Sequence, residues 1–131
     1  MIKYQLIKID NNLSRPYLNV TLINPENNKN VRITALIDTG ADECCFPIDM
    51  AYLLGHDFKN GRLKRISTAN GDIEVFSHTN RIFIKNYMTK DILIDFSDKL
   101  KIPILGVRNF LSDFILTINY PEKYFTLEKI S

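Results

Sequence analysis

Apolar and polar residues alternate along most of this chain, and alternation with a period of two is typical of β-strands that bury one face. Turn-forming residues at positions 25–30 and 119–123 separate some of these segments, and Asn70-Gly71 predicts a tight turn because both residue types tolerate a positive φ. The alternation predicts nine strands, over residues 2–9, 17–23, 31–37, 62–68, 73–78, 81–87, 91–96, 114–119 and 124–129.

Helical patterning is scarce. Residues 47–55 predict about two helical turns, since Pro47 suits the first turn of a helix and Gly55 suits its end. Residues 107–113 predict a second short helix. We therefore expect an all-β domain with one or two short helices, built as a closed or partly closed barrel or as a sandwich.

The composition fits one globular domain over residues 1–131, with 45% apolar residues. Lys and Arg number 17 and Asp and Glu 15, and the net charge of +2 predicts neither a nucleic-acid nor a membrane partner. No apolar run approaches the ~18 residues of a membrane span, and residues 1–8 alternate instead of forming the apolar core of a signal peptide. Adjacent Cys44 and Cys45 make no disulfide framework, so we expect a reducing compartment and a cytoplasmic location.

One segment combines a strand with candidate chemistry. The apolar residues of 34–37 run directly into Asp38, Thr39 and Gly40. Such a strand would hold the carboxylate at its end, Thr39 supplies a donor and an acceptor that can fix the loop, and Gly40 permits a close approach of backbone or substrate. The alternative is an ordinary strand-ending turn, because Asp and Gly are common turn residues.

A second segment, Ile-Pro-Ile-Leu-Gly at residues 102–106, precedes the second predicted helix. Together with Asp-Thr-Gly-Ala at 38–41 and the hairpin turn at Asn70-Gly71, it resembles the retropepsin-like aspartic proteases, the single-lobe relatives of pepsin. The resemblance covers residues 16–127 in element order. The segment after residues 38–43, which we call the Asp loop, is more similar to the cellular and bacterial members than to the viral ones. The resemblance implies a closed β-barrel with the acid protease fold.

The resemblance also implies roles for individual residues. Asp38 would be the catalytic carboxylate, supported by Thr39 and Gly40, and Asp42 would contact the substrate main chain or pair with Arg108. The hairpin at residues 67–73 would be a flap over an extended peptide. The implied substrate-binding residues lie in the Asp loop and at the flap tip: Gly40, Ala41, Asp42, Ala69, Asn70 and Gly71.

Aspartic proteases use two carboxylates that share one proton, and this chain holds one Asp-Thr-Gly. The resemblance therefore implies a homodimeric aspartic endopeptidase that pairs Asp38 with Asp38 of a second copy and cleaves extended polypeptides. The alternative is an inactive dimerisation or peptide-binding module with the same fold.

Metal and thiol chemistry are weaker hypotheses. Cys44, Cys45 and His56 form an incomplete zinc pattern, and Cys44 as a nucleophile beside His56 or His78 lacks a supporting motif. We expect neither a metal nor a cofactor.

Overall fold

The computed structural model of the protein describes residues 1–69 and 71–130, and most of these residues lie in β-strands. The strands of this described part are β1 (Lys3–Gln5), β2 (Ile7–Asp10), β3 (Leu13–Arg15), β4 (Tyr17–Ile23), β5 (Asn30–Ile37), β6 (Cys45–Pro47), β7 (Arg62–Thr68), β8 (Gly71–Ile84), β9 (Tyr87–Met88), β10 (Ile92–Ser97), β11 (Ile104–Leu105), β12 (Phe114–Asn119) and β13 (Tyr124–Lys129). One α-helix, α1 (Ile48–Leu53), and two 3-10 turns, Phe58–Asn60 and Leu111–Asp113, complete these elements.

Six strands close into a ring in the order β10, β6, β11, β5, β4 and β8, and β8 pairs with β10 to complete it. In a closed ring each strand has a partner on both sides, so the ring exposes no row of unpaired backbone groups to which another chain could add. The predicted closed barrel is therefore confirmed. The parallel pairs β5–β11 and β6–β10 lie next to each other in the ring. Because β5 and β11 run in the same direction, their carboxyl ends lie side by side.

The 14-residue strand β8 contains the predicted strand 73–78 and residues 81–84 of the predicted strand 81–87. That second prediction is wrong at its end, because residues 85–86 form a turn in which Asn86 has a φ of 65°, and Tyr87 begins β9. Strand β8 changes partners along its length: β7 pairs with its first half, β10 with residues 76–80 and β4 with residues 81–83. The first half of β8 and β7 form a hairpin over residues 62–77, which has the predicted flap residues 67–73 at its tip. We call this whole hairpin the flap.

The chain termini form a separate three-stranded sheet in the order β1, β13, β12. The predicted first strand over residues 2–9 is divided into β1 and β2, because the backbone N–H of Leu6 donates to the carbonyl of Lys123 while β2 pairs with β3. Strand β12 is an edge of the terminal sheet within the described residues.

A single apolar core fills the ring and the space beneath the terminal sheet. Its largest fully buried side chains are aromatic: Phe46, Phe96, Phe110 and Phe125. Burial of side chains of this size is the main source of stability in a domain of this length. The alternation of buried and exposed residues along β4 and β8 is the same pattern that predicted those strands.

The second predicted helix, residues 107–113, is wrong over its first half. Only Leu111–Asp113 forms a 3-10 turn, and Asn109 has a left-handed φ of 68° that interrupts a helical path. The backbone N–H groups of Val107 and Arg108 donate to carbonyls of the Asp loop, so they are used in tertiary contacts.

Helix α1 agrees with the predicted helix at 47–55. Its N-cap is Pro47, and the side-chain amide of Asn24 donates to the Leu54 carbonyl at 2.9 Å, where the helix ends. Among the described residues, none of the helices is both long and apolar enough to span a membrane.

Candidate active site

Asp38 follows the last residue of β5, at the point where β5 lies parallel to β11. The Asp38 backbone N–H donates to the Leu105 carbonyl at 3.0 Å, and the Ile37 N–H donates to the Pro16 carbonyl at 2.9 Å. Backbone contacts from two separate segments therefore fix the position of this carboxylate. Its location results from the barrel topology and does not depend on the conformation of a free loop.

The Asp38 carboxylate is half-buried and held on one side. Its Oδ1 accepts a hydrogen bond from the Gly40 backbone N–H at 2.9 Å, whereas Oδ2 bonds to no described residue. A Cβ added to Gly40 would lie 3.3 Å from Oδ1 of Asp38, a tight contact with that side chain, and the predicted close approach of backbone or substrate to Gly40 stays a prediction. One oxygen is thus oriented by the backbone and the other is available to a further group.

The Asp loop, residues 38–43, is clamped to the segment that follows β11. The Val107 N–H donates to the Ala41 carbonyl at 2.9 Å and the Arg108 N–H donates to the Asp42 carbonyl at 2.7 Å. Gly106 makes this approach possible, because a Cβ there would lie only 2.2 Å from the Glu43 carbonyl oxygen. The two motifs singled out in the sequence therefore pack directly against each other.

The side chains of Asp42 and Arg108 do not form the implied pair. Arg108 Nη1 lies 2.9 Å from Oε1 of Glu43, and Arg108 meets Asp42 only through the backbone bond. The reason is geometric: that backbone bond fixes Arg108 beside the loop, where the half-buried Glu43 side chain lies in its reach. Glu43 is a site residue that the sequence reasoning missed.

A cleft of about 720 Å³ lies between the Asp loop and the flap. The loop contributes Gly40, Ala41 and Asp42, three of the predicted substrate-binding residues. Apolar side chains from the flap, from β11 and from the segment between β10 and β11 line the same space: Ile66, Ile73, Ile104 and Leu100. The cleft thus offers backbone near the carboxylate and apolar surface for side chains.

The flap tip is exposed. Ala69 and Gly71 lie at the turn, where Gly71 has the positive φ of 105° that the Asn-Gly motif predicted, and Asn70 falls outside the described residues. Below the tip, the Ser67 hydroxyl donates to Asp72 at 2.9 Å across the hairpin. Ala69 and Gly71 do not line the cleft, so their predicted contact with substrate stays a prediction.

Asp38 and Thr39 open onto a second concave surface of about 420 Å³, which shares no lining residue with the cleft. Ile118 and Tyr120, from the end of β12 and the turn after it, line the same surface. Thr39 is exposed, and its hydroxyl bonds to no described residue. The terminal sheet and the catalytic candidate therefore share one face of the molecule.

A buried carboxylate lies behind the cleft. Asp95, 1% exposed on β10, accepts hydrogen bonds from the Lys64 ammonium at 3.0 Å and from the Ser77 hydroxyl at 2.6 Å. Lys64 also lies 3.8 Å from Oε1 of Glu43. Lys64, Ser77 and Asp95 lie on three different strands and Glu43 lies in the Asp loop, so no sequence spacing groups them.

The cysteines are poor nucleophiles. Cys44 is buried, and burial, with smaller effects from nearby carboxylates, raises the pKa of both Cys44 and Cys45 to about 12. His56 and His78, distant in sequence, stack with ring centroids 4.5 Å apart. Among residues 1–69 and 71–130, no group of three or more His, Cys, Asp or Glu side chains is arranged to hold a metal ion.

No protein-family model and no curated protein matches the chain, but solved structures do. The chain is similar to EIAV protease complexed with the inhibitor HBY-793, at 26% identity and a TM-score of 0.60, over 81% of this chain and 93% of the other. It is also similar to a retropepsin-like aspartic protease from Rickettsia conorii, at 24% identity and a TM-score of 0.69, over 96% and 88%. The chain therefore has the retropepsin-like aspartic protease fold, as the resemblance implied.

Proposed function

We propose that this protein is an aspartic endopeptidase that hydrolyses peptide bonds in extended polypeptides. Its active form is a two-fold homodimer in which Asp38 of each copy faces the other. The observation that carries the proposal is the setting of Asp38: topology fixes its backbone, Gly40 orients one carboxylate oxygen, and the other oxygen has no partner among the described residues.

The chemistry of the proposed reaction needs two carboxylates and one water. Two carboxylates in contact cannot both ionise cheaply, so one keeps a proton while the other is charged. The charged carboxylate takes a proton from the water as the water oxygen attacks the peptide carbonyl, and the protonated one gives its proton to the carbonyl oxygen. The carboxyl group that took the water proton then protonates the leaving nitrogen, and the other carboxylate removes a hydroxyl proton from the tetrahedral intermediate. The carbonyl re-forms as the C–N bond breaks, and the pair again holds one proton.

Dimerisation supplies the second carboxylate in this proposal. The Asp loop contains two other carboxylates: Glu43 forms an ion pair with Arg108, and Asp42 is exposed to solvent. The face shared by Asp38, Thr39 and the end of β12 is concave and partly apolar. A two-fold contact across this face would bring the two loops together and leave both clefts open to peptide.

Cleavage of an unstructured polypeptide tests the proposal. We expect the protein to cleave it in a reaction that a pepstatin-type inhibitor blocks, at acidic to near-neutral pH where the pair keeps one proton. Asp38→Asn and Asp38→Ala should abolish cleavage with little loss of stability. The matched control is Asp98→Asn, which removes an exposed carboxylate outside the cleft and should leave the rate unchanged.

The outcomes separate the enzyme from the alternative module. Inhibitor-sensitive cleavage that is lost in both Asp38 variants supports the endopeptidase. Stable binding of the polypeptide without cleavage favours an inactive peptide-binding domain. Cleavage at the original rate by repurified Asp38→Ala would remove the mechanism.

Two free cysteines, one buried and one half-buried, support the further proposal of a reducing, cytoplasmic location. Imaging of the tagged protein in its native cell tests this proposal, and secretion would contradict it.

A further inference from the structure

Four charged side chains connect the wall of the cleft to the barrel interior. Arg108 Nη1 is 2.9 Å from Glu43, Glu43 is 3.8 Å from Lys64, and Lys64 is 3.0 Å from Asp95. Glu43, Lys64 and Arg108 line the cleft, whereas Asp95 is buried behind it. The chain of contacts joins the Asp loop, the flap strand β7 and the barrel strand β10.

The four charges cancel. Glu43 and Asp95 carry two negative charges, and Lys64 and Arg108 carry two positive ones, so this wall of the cleft is neutral as built. The cleft's other charged lining residues, Asp42 and Arg65, are opposite in sign, and Arg65 lies 3.4 Å from Glu74 on the flap. A neutral wall attracts neither sign of unpaired charge, whereas a wall that has lost one ion attracts the charge opposite to its own.

Lys64 holds the central place because both carboxylates contact it. Its side chain is 30% exposed, Glu43 is 19% exposed and Asp95 is 2% exposed, so water screens the lysine and glutamate only in part. Without Lys64, Glu43 keeps Arg108 as a partner, but Asp95 keeps only the Ser77 hydroxyl. The wall would then carry one net negative charge.

We propose that Lys64 determines the side-chain selectivity of the cleft: it neutralises Glu43 and Asp95, so the cleft accepts uncharged side chains of a bound peptide beside the apolar Ile66 and Ile104. This inference rests on the proposed function, since it assigns the substrate side chain of the same cleft. Lys64 acts through the two carboxylates and is a positioning residue, not a catalytic one.

A set of peptides that differ at one position tests the assignment. Each position flanking the scissile bond carries Leu, Lys or Glu in turn, and kcat/KM is measured for the wild-type protein. The same peptides are titrated against Asp38→Asn to measure Kd without turnover. We expect the wild-type protein to prefer Leu over both charged residues at one position at least.

Two single variants should shift this preference in opposite directions. Lys64→Met leaves a net negative wall and should raise the Lys/Leu ratio of kcat/KM by about fivefold or more, the factor of one partly exposed ion pair. Glu43→Gln leaves a net positive wall and should raise the Glu/Leu ratio by a similar factor. Lys64→Arg should keep the wild-type ratios, and the double variant Lys64→Met with Glu43→Gln should restore them approximately.

Arg62→Met is the matched control. It removes one cation from the same strand, but Arg62 does not line the cleft, so the ratios should stay within about twofold of the wild-type values. A shift as large in Arg62→Met as in Lys64→Met would attribute the effect to overall charge and overturn the inference. Unchanged ratios in both Lys64→Met and Glu43→Gln would overturn it as well.

The readouts distinguish this inference from the proposed function. Selectivity that shifts in Kd while the wild-type protein cleaves nothing would reject the endopeptidase and keep the role of Lys64. Cleavage with no shift in either variant would reject the role of Lys64 and keep the endopeptidase. If no peptide of the set is bound or cleaved, both proposals fall.

Discussion

Replacing Gly106 with alanine should disrupt the clamp that holds the Asp loop. The added Cβ would lie 2.2 Å from the Glu43 carbonyl oxygen and 2.8 Å from that of Ala41, whereas ordinary contact begins at 3.4 Å. Both neighbours are backbone atoms, so no side chain can move aside. The loop and the segment after β11 must therefore separate.

The cost follows from what the separation breaks. The hydrogen bonds from the Val107 and Arg108 N–H groups to the loop contribute about 1 kcal/mol each. Overpacking in a buried site costs about 1–3 kcal/mol more. Gly106→Ala should therefore lower the free energy of unfolding by about 3–5 kcal/mol, measured by urea denaturation monitored by tyrosine fluorescence or circular dichroism.

Gly71→Ala is the comparison, because a Cβ there meets nothing within 4 Å and the cost comes from its positive φ alone. We expect about 1 kcal/mol at this exposed flap position. A loss below about 1.5 kcal/mol for Gly106→Ala would refute the clamp. If that variant fails to fold, amide exchange in the wild-type protein decides the question: rapid exchange at Val107 and Arg108 would contradict the clamp.

Three further predictions concern the rest of the fold. Burial lowers the pKa of the His56 imidazole from 6.5, so the unfolded chain binds more protons than the folded protein below that pH. The free energy of unfolding, measured in urea, should therefore fall as the pH drops from about 6.5 through the lowered pKa. The fall should be smaller in His56→Gln. Phe96→Ala should cost about 3–5 kcal/mol in urea unfolding, against less than about 1 kcal/mol for the half-exposed Phe83→Ala. Cys44 and Cys45 should react with a thiol reagent slowly at pH 7 and rapidly after unfolding, and rapid native reaction would contradict their raised pKa.

The regular strands were predictable because each buries one face. Residues 17–23, 62–68, 114–119 and 124–129 form strands with the predicted bounds. In β8 the buried face shifts by one residue between Ser77 and Asn80, because the strand changes partners there without a turn. The three-residue β6 and the two-residue β11 escaped prediction, because so short a strand has no period and forms only by pairing within the ring.

Some features of the candidate site could be predicted from the sequence and others could not. Asp38, Gly40 and Gly106 could be singled out in the sequence because they belong to two short motifs, Asp-Thr-Gly-Ala and Ile-Leu-Gly. The contacts of Lys64 with Asp95 and Glu43 could not be predicted, because three different segments meet only after the barrel closes. Sequence patterns identify the residues of a short motif, and they do not identify the partners of a charged side chain.

A crystal structure of the assembled protein, read for the distance between the two Asp38 carboxylates, tests the central claim most directly. The account predicts that the nearest oxygens of the two side chains lie about 3 Å apart on a two-fold axis, close enough to share a proton. Carboxylates that face solvent in separate copies, or that lie too far apart to hold one water between them, would contradict it.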